Sequence, residues 1–227
     1  MRFIILFVLC LNAYSDSFYY NPINNHGALG VINIPSARFY SAPSASLSFY
    51  RGFPDRKVAL TLYPYDWLEG TIYYSSIKDR YYGSFTSQDY KDKGFNLKLR
   101  LKEQGRFPAI ALGLNDIGGT GLYSGEYIVS SLSRGNFDYH FGIAWGSLNH
   151  HEHFKNPFIY LNDKFSSRDS EIGKGGTLNL KDFFSGESIS VFAGLNYLIN
   201  ENTILKFEYD PTKTPGRVGY EKRKSDF

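Results

Sequence analysis

Strict two-residue alternation of apolar and polar side chains, repeated in short segments, constrains the fold of this chain more than any other feature. In the clearest segment, residues 95–102, Phe95, Leu97, Leu99 and Leu101 alternate with Asn96, Lys98, Arg100 and Lys102. Neighbouring residues on a β-strand point to opposite faces, so this segment predicts a strand with one apolar and one charged face. Repeated around a closed sheet, such strands suit a transmembrane barrel with a polar interior.

The same alternation recurs along the chain between turn-rich stretches. It is found in segments 45–50, 58–62, 68–74, 110–114, 137–146, 189–197 and 205–209. Asn200–Asn202 predicts a hairpin turn between the last two segments, and no stretch has a sustained helical period. Residues 149–177 are long, polar and irregular, as in an external loop or a lumen plug. We therefore predict an all-β fold: an antiparallel transmembrane-type β-barrel, complete or incomplete, with a polar interior and long irregular loops.

The N-terminal residues have the pattern of an export signal. Arg2 precedes the apolar run 3–11, which is far shorter than the ~20 residues of a spanning helix, and small residues at Ala13 and Ser15 predict cleavage before Asp16. A buried N-terminal strand is the less favoured alternative. Cys10 is the single cysteine, and Leu9 precedes it where lipoprotein acylation needs a small residue, so we expect a mature chain without cysteine.

These features divide the chain into three parts and predict its location. Residues 1–15 are the signal peptide, 16–210 the barrel domain, and 211–227 a charged tail or the start of a missing continuation. The abundant Tyr and Phe, 19 of each, suit strands and membrane interfaces, so outer-membrane lipid is the expected surrounding. The formal charge of +3 is too slight and dispersed for a nucleic-acid partner.

Several motifs, in a consistent order, resemble those of the YjbH-like outer-membrane exopolysaccharide proteins. They are Asn33–Arg38, Tyr90–Gly94, Pro108–Gly113, Asp116–Gly121, Ser124–Tyr127, Trp145–Gly146, Asn156–Phe158 and Glu208–Asp210. The resemblance implies a Gram-negative outer-membrane barrel that serves secretion or assembly of extracellular or capsular polysaccharide, with periplasmic lipoproteins as partners. It also implies a longer protein with a second barrel-like half. It carries over no catalytic residue.

Charged residues of the predicted inner face are the first candidates for a functional role. Lys98, Arg100 and Lys102 could attract an anionic polysaccharide. Alternatively, and in our preferred interpretation, they form an internal ion network with Glu69, Glu126 and Glu208. Arg38 and the Asp92–Lys93 pair are expected to tie the inner wall together, since buried charges persist only when paired.

The turn from Asp116 to Gly121 could hold a cation or bring backbone close to a ligand. Its glycines are Gly118, Gly119 and Gly121. We favour a tight turn in which glycine supplies positive φ and Asp116 accepts hydrogen bonds from nearby backbone, because no second carboxylate has calcium-loop spacing.

Catalytic and metal chemistry have weaker support. The cluster His150–His153 could bind a transition metal, but an exposed loop is the favoured interpretation, so we predict no metal and no cofactor. His140 and Asp138 share the predicted interior and are the first pair to test for hydrolysis. The leading hypothesis is a non-enzymatic barrel for polysaccharide export or assembly. The alternatives are a barrel-embedded enzyme acting on lipid or glycan, and a soluble exported β-sandwich.

Overall fold

The structure is a computed structural model that describes residues 21–52, 55–81, 87–169 and 182–212. The predicted signal peptide with Cys10, the tail beyond Thr212 and part of the predicted loop 149–177 lie outside the described residues.

The described residues form one antiparallel sheet. Its strands are β1 (Ser44–Arg51), β2 (Asp55–Tyr65), β3 (Leu68–Tyr81), β4 (Asp89–Lys102), β5 (Ala109–Asn115), β6 (Gly125–Arg134), β7 (Phe137–Ala144), β8 (Phe154–Lys155), β9 (Ser188–Asn200) and β10 (Thr203–Tyr209). The strands follow one another in chain order, with β9 beside β7 and the short β8 paired to the start of β9. Helical structure among the described residues is limited to 3₁₀ turns, which include Gly146–Leu148, Pro157–Tyr160 and Asp163–Ser166. The all-β antiparallel prediction is confirmed.

The sheet has apolar residues on its outer face and polar residues on its inner face. Large apolar side chains on the outer face are between 41% and 74% exposed: Leu47, Phe49, Leu60, Ile72, Phe95, Phe141 and Phe207. Inner-face side chains no more than 3% exposed include Lys57, Thr61, Thr71, Ser75, Lys98, Ser131, Asp138, His140 and Asn196. Water-soluble proteins usually show the reverse distribution.

Residues 21–43, which we call the inner segment, lie against the inner face of the sheet. Thr61 of β2 donates a hydrogen bond to the Gly27 carbonyl at 2.7 Å, and Lys206 of β10 donates to the Val31 carbonyl at 2.8 Å. The Ala37 amide donates to Ser131 of β6 at 2.8 Å. Because one segment contacts strands near both edges and in the middle, the sheet must curl around it.

The apolar core lies between the inner segment and the sheet. Leu29, Val31, Ile34, Ala37 and Phe39 of the segment are buried against Tyr63, Ala109, Ala111, Tyr127, Val129, Ala144 and Phe192 of the strands. Burying one of the larger of these side chains contributes roughly 1.5–3 kcal/mol to the stability of the fold. The inner segment is therefore a structural part of the sheet's interior.

The sheet is open in the part of the chain that the structure describes. Nine strands follow one another from β1 to β10, and no pairing joins these two edge strands. Since every neighbouring pair is antiparallel, β1 and β10 run in the same direction. A closed barrel, the finer part of the prediction, is thus not found among these strands.

The two ends of the sheet carry connections of different length. Residues 66–67, 103–108, 135–136 and 201–202 join strands at one end. Residues 116–124 and 145–187 join them at the other, the long-loop end. The turn at Asn200–Asn202 was predicted and is confirmed. None of the described helices has the length and apolar character needed to cross a membrane.

Candidate functional site

The candidate site is the charged interior of the sheet, and Arg38 of the inner segment lies at its centre. Its Nη2 atom is 2.5 Å from Asp138 Oδ1 and 2.7 Å from Gln104 Oε1, while Nε lies 3.2 Å from Asp138 Oδ2. Two parallel hydrogen bonds between a guanidinium and a carboxylate form the strongest kind of ion pair. Arg38 therefore fastens the inner segment to β7.

A second ion pair lies next to Arg38. Lys98 Nζ is 2.7 Å from Glu69 Oε2 and donates to the Arg38 carbonyl at 2.9 Å. Both side chains of the pair are no more than 3% exposed, and the Lys98 and Arg100 cations lie over the Phe39 ring. Lys98 is thus paired within the fold and also holds the inner segment, as in the internal-network interpretation.

The Asp116–Gly121 turn folds over the inner face and meets β4. Thr120 donates a hydrogen bond to Asp92, and the Ile117 amide donates to the Phe95 carbonyl at 2.8 Å. Gly118 and Gly121 have φ of +67° and +83°, as expected for a tight turn. A Cβ atom on Gly94 would lie 2.3 Å from Asp116 Oδ1. Two of the motifs singled out in the sequence therefore meet here.

Asp116 itself is buried beside another carboxylate. Burial, followed by the negative charge of Asp92, raises the pKa of Asp116 to about 6. The Tyr123 amide, which donates to Asp116 Oδ2 at 3.2 Å, acts in the opposite direction. The turn therefore holds a carboxyl group that changes its charge in mildly acidic conditions.

Sequence reasoning missed a neighbouring buried group around Lys57. The Lys57 ammonium is 3.5 Å from Asp55 Oδ2 and 2.9 Å from His26 Nδ1, and it lies 4.2 Å from the centre of the Tyr123 ring. The Tyr123 hydroxyl donates to Asp55 at 2.5 Å. Alternation places Lys57 and Asp55 on the inner face, but their partners come from distant segments, which no local pattern reveals.

Glu208 of β10 binds the backbone of the inner segment. Its carboxylate accepts hydrogen bonds from the amides of Ile32, Asn33 and Ile34 at 2.9, 2.8 and 3.2 Å. Three amides converging on one carboxylate fix the path of the chain at this bend. The predicted ion pairing of Glu208 with Lys98, Arg100 or Lys102 is replaced by this backbone contact.

Glu126 likewise has a different partner from the one predicted. Arg168 pairs with Glu126 through two contacts of 2.7 and 2.9 Å, and the Phe184 amide donates to the same carboxylate at 3.0 Å. Arg168 belongs to the long connection between β7 and β9. This ion pair holds that connection against the end of β6.

Two of the predicted inner cations lie elsewhere. Lys93 is exposed on the face opposite Asp92, because successive residues of β4 alternate. Lys102 is exposed at the end of β4 beyond a register shift, with its ammonium 4.5 Å from the Phe107 ring centre. The expectation that these two lysines line the interior is therefore wrong, while Arg38, Asp92, Lys98 and Arg100 face inward.

His140 and Asp138 are incorporated into the interior network. His140 Nδ1 is 2.8 Å from Ser131 Oγ, and Nε2 is 3.4 Å from Asp138 Oδ2. The three side chains form a Ser–His–Asp sequence of contacts, yet each is no more than 3% exposed. Asp138 is hydrogen-bonded to Arg38, and Ser131 accepts a hydrogen bond from the Ala37 amide. Both contacts hold the inner segment in place.

The histidine-rich segment lies at the long-loop end. His153 Nε2 is 2.8 Å from the Tyr209 hydroxyl, and Nδ1 accepts from the Val191 amide at 3.3 Å. Among the described residues, no group of three or more His, Cys, Asp or Glu side chains is placed to hold a metal ion. The imidazole of His153 instead joins the connection to β9 and β10.

A small cavity lies between the inner segment and the sheet in the described part of the chain. A cavity of about 40 Å³ lies between the inner segment and strands β2–β5, with Asn24, His26, Lys57 and Lys98 among its lining residues. A cavity of this size holds about three water molecules. It cannot admit a sugar ring while the inner segment is in place.

The comparisons with known proteins agree with the motifs. Residues 22–222 match the profile of the YjbH family, described as exopolysaccharide biosynthesis protein YbjH. The chain is 35% identical over 193 residues to the uncharacterized lipoprotein YjbH of Escherichia coli K12, an alignment that covers 82% of this chain and 28% of that relative. The chain thus spans little more than a quarter of that relative's length. No solved structure matches. On the family match, this chain belongs to the YjbH family of exopolysaccharide biosynthesis proteins.

Proposed function

We propose that the chain is a non-enzymatic component of the outer membrane that takes part in the export or surface assembly of an exopolysaccharide. The observation that supports this most is the distribution of side chains on the sheet. Exposed Phe, Leu and Ile cover the outer face, and paired charges fill the interior. An extended exposed apolar surface marks contact with lipid or with another protein.

The interior favours a docking role over an open passage. The inner segment packs against the inner face of the sheet, and the cavity between it and strands β2–β5 has room for only a few water molecules. Arg38 is paired with Asp138 and Lys98 with Glu69, and Glu208 is bound by backbone amides, which compensates these interior charges. A polymer or a partner would therefore bind at the ends of the sheet, and periplasmic lipoproteins of the export system are the proposed partners.

Export and membrane association have independent support. The Escherichia coli relative is named a lipoprotein, and the N-terminal residues of this chain have the composition of an export signal. We propose cleavage before Asp16 and residence in the outer membrane. The alternative of a soluble β-sandwich requires two sheets whose apolar faces meet, whereas the described residues form a single sheet with that face exposed.

Membrane fractionation of two matched variants tests the proposal. Leu60→Lys places a charge in the middle of the exposed apolar face, which in lipid costs about 2–4 kcal/mol near the bilayer centre. We expect the wild-type chain to stay in the outer membrane after carbonate washing and Leu60→Lys to be depleted there. Thr203→Lys, at the exposed start of β10, is the control and should behave as wild type. A wild-type chain recovered as a monomer in detergent-free periplasmic extract would contradict the proposal.

A further inference from the structure

A second, more open site lies at the long-loop end, outside the charged interior. The connection between β7 and β9 folds back on the sheet and leaves a groove of about 600 Å³. Its described lining includes Asn149, Glu152, His153, Phe154 and Lys155 on one side and Arg168 on the other. Ligand sites that enclose drug-sized molecules occupy about 300–1,000 Å³, a range that includes a short run of sugar rings.

The chain segments that line the groove are held together by interlocking contacts of neighbouring buried residues. Trp145 follows β7 directly. Its ring stacks on the Phe158 ring, with centres 5.6 Å apart, and meets the Phe184 ring edge-on, with centres 5.2 Å apart. Asn156 accepts from Trp145 Nε1 at 3.1 Å and donates to the Phe184 and Gly186 carbonyls at 2.8 and 2.9 Å. These contacts pre-organise the groove, which lowers the entropic cost of binding a ligand.

One exposed aromatic ring lines the groove, and a second lies next to the lining residue Lys155. Phe154 lines the groove with 59% of its surface exposed, and its backbone is fixed by pairing with Ile189. Tyr160 is 78% exposed, with the Lys155 ammonium 5.4 Å from its ring centre. A sugar ring has C–H groups on its faces and hydroxyls around its edge. Flat apolar rings beside amides, hydroxyls and imidazole match both of those surfaces.

The charges of the groove distinguish between classes of polymer. Arg168 is already paired with Glu126, and the remaining charged groups of the described lining are Lys155, Glu152 and Glu187, so the lining carries no net positive charge. A polyanion would gain nothing from such a surface, because net positive potential is what attracts it. The lining therefore fits a neutral saccharide and argues against the anionic polymer considered from the sequence.

We propose that this groove binds a neutral segment of the exopolysaccharide, an assignment that rests on the proposed function. The long loops of outer-membrane barrels face the cell exterior, which is where a surface polymer would meet the groove. Phe154 and Tyr160 supply the stacking surfaces, and Glu152, Lys155 and the serines near Arg168 supply hydrogen bonds at the ring edges.

Affinity electrophoresis of the detergent-solubilised full chain tests the proposal. The probes are dextran, galactomannan and soluble starch as neutral polymers and polygalacturonate as the anionic one. We expect at least one neutral polymer to retard the wild type, and Phe154→Ala with Tyr160→Ala to weaken that binding by about tenfold, or about 1.4 kcal/mol. Phe141→Ala is the matched control, since Phe141 is 56% exposed on the outer face of the sheet.

The outcomes separate this proposal from the proposed function. Retardation by polygalacturonate alone, or by no neutral polymer, would overturn the groove assignment, as would equal effects of the groove variants and Phe141→Ala. In all of these cases the chain would remain in the outer membrane. Loss of the wild type from that membrane would instead overturn the proposed function.

Discussion

Arg38 illustrates how single residues of the interior connect distant parts of the chain. Its guanidinium joins Asp138, Gln104 and Ser133, which come from three different stretches of sequence. Removing one partner of a buried pair leaves the other charge uncompensated, which costs about 3–5 kcal/mol. The main effect of the Arg38–Asp138 pair is therefore to fix the position of the inner segment, and its contribution to net stability is smaller.

Arg38→Ala is accordingly expected to lower the free energy of unfolding by about 3–5 kcal/mol. Removing the Asp138 charge as well should recover part of that loss, because the carboxylate is then no longer unpaired. Urea unfolding in detergent micelles of Arg38→Ala, Asp138→Asn and the double variant measures the coupling. Arg106→Ala, in the exposed turn after β4, is the control. Strictly additive losses would mean that the two side chains do not interact.

Asp116 gives the fold a predictable dependence on pH. Its folded pKa of about 6 lies above the ordinary value of 3.8, so the folded state binds the proton more tightly than the unfolded chain. Protonated Asp116 therefore stabilises the folded state fully below about pH 4, and this stabilisation is lost as the pH rises through about 6. Each pKa unit corresponds to about 1.4 kcal/mol. Asp116→Asn should therefore gain up to about 3 kcal/mol relative to wild type between pH 4 and pH 7, as measured by urea unfolding at each pH. A constant difference between the two proteins would contradict the assignment.

Gly119 is required for close approach rather than for a special backbone angle. A Cβ atom there would lie 1.7 Å from Asp116 Oδ1 and 2.9 Å from the Lys93 carbonyl oxygen. Gly119→Ala should displace the turn from β4 and destabilise the protein by more than about 1 kcal/mol. Gly105→Ala, where the added atom meets nothing within 4 Å, should change the unfolding midpoint little. Similar midpoints for the two variants would show that the turn can relax without loss.

At the scale of the elements, the inner segment depends on contacts with strands far away in sequence. Glu208 binds three of its amides, of which those of Asn33 and Ile34 are partly buried, and an unsatisfied buried amide costs about 1–3 kcal/mol at most. Glu208→Ala should release the bend at residues 32–34 while leaving the sheet folded. Hydrogen exchange is expected to accelerate at those amides and to stay slow in β4 and β6. Glu201→Ala, in the exposed β9–β10 turn, is the control, and equal protection in both variants would contradict this account.

The sequence predicted the strands well wherever the two faces differ in polarity. In β6, however, Tyr127 and Val129 point inward while Ser130 and Arg134 point outward, so apolar and polar residues occur on both faces and the strand was missed. The alternation of apolar residues predicted that β7 continues through Trp145. The strand instead ends at Ala144, and the Trp145 ring packs on Phe158. The inner segment has no alternation of apolar and polar residues. Its position is fixed by hydrogen bonds to residues more than 90 positions away in the sequence.

The interior site was predictable in its composition but not in its pairings. Alternation placed Lys98 and Arg100 inside, the pairing argument for the Asp92–Lys93 motif placed Asp92 there, and the glycines of the Asp116 turn indicated its shape. The partners of Glu126 and Glu208 depend on how the connection after β7 and the inner segment fold back onto the sheet. Those contacts join residues 42 and 175 positions apart, beyond the reach of any local pattern.

At the scale of the whole molecule, the sheet is stable in the described form because its interior is filled by its own chain. Many membrane barrels enclose water or a plug, and here the inner segment supplies apolar contacts as well as ion pairs. The outer face is left to the surrounding medium. The described residues thus present an apolar outer face and a groove at one end of the sheet.

The parallel direction of the two edge strands restricts how further strands could join them in a fully antiparallel barrel. An antiparallel ring contains an even number of strands, and the described path has nine. One added strand, antiparallel to both β1 and β10, would join them, whereas an added hairpin would leave the mismatch unchanged. A fully antiparallel closure of this sheet would therefore need an odd number of added strands.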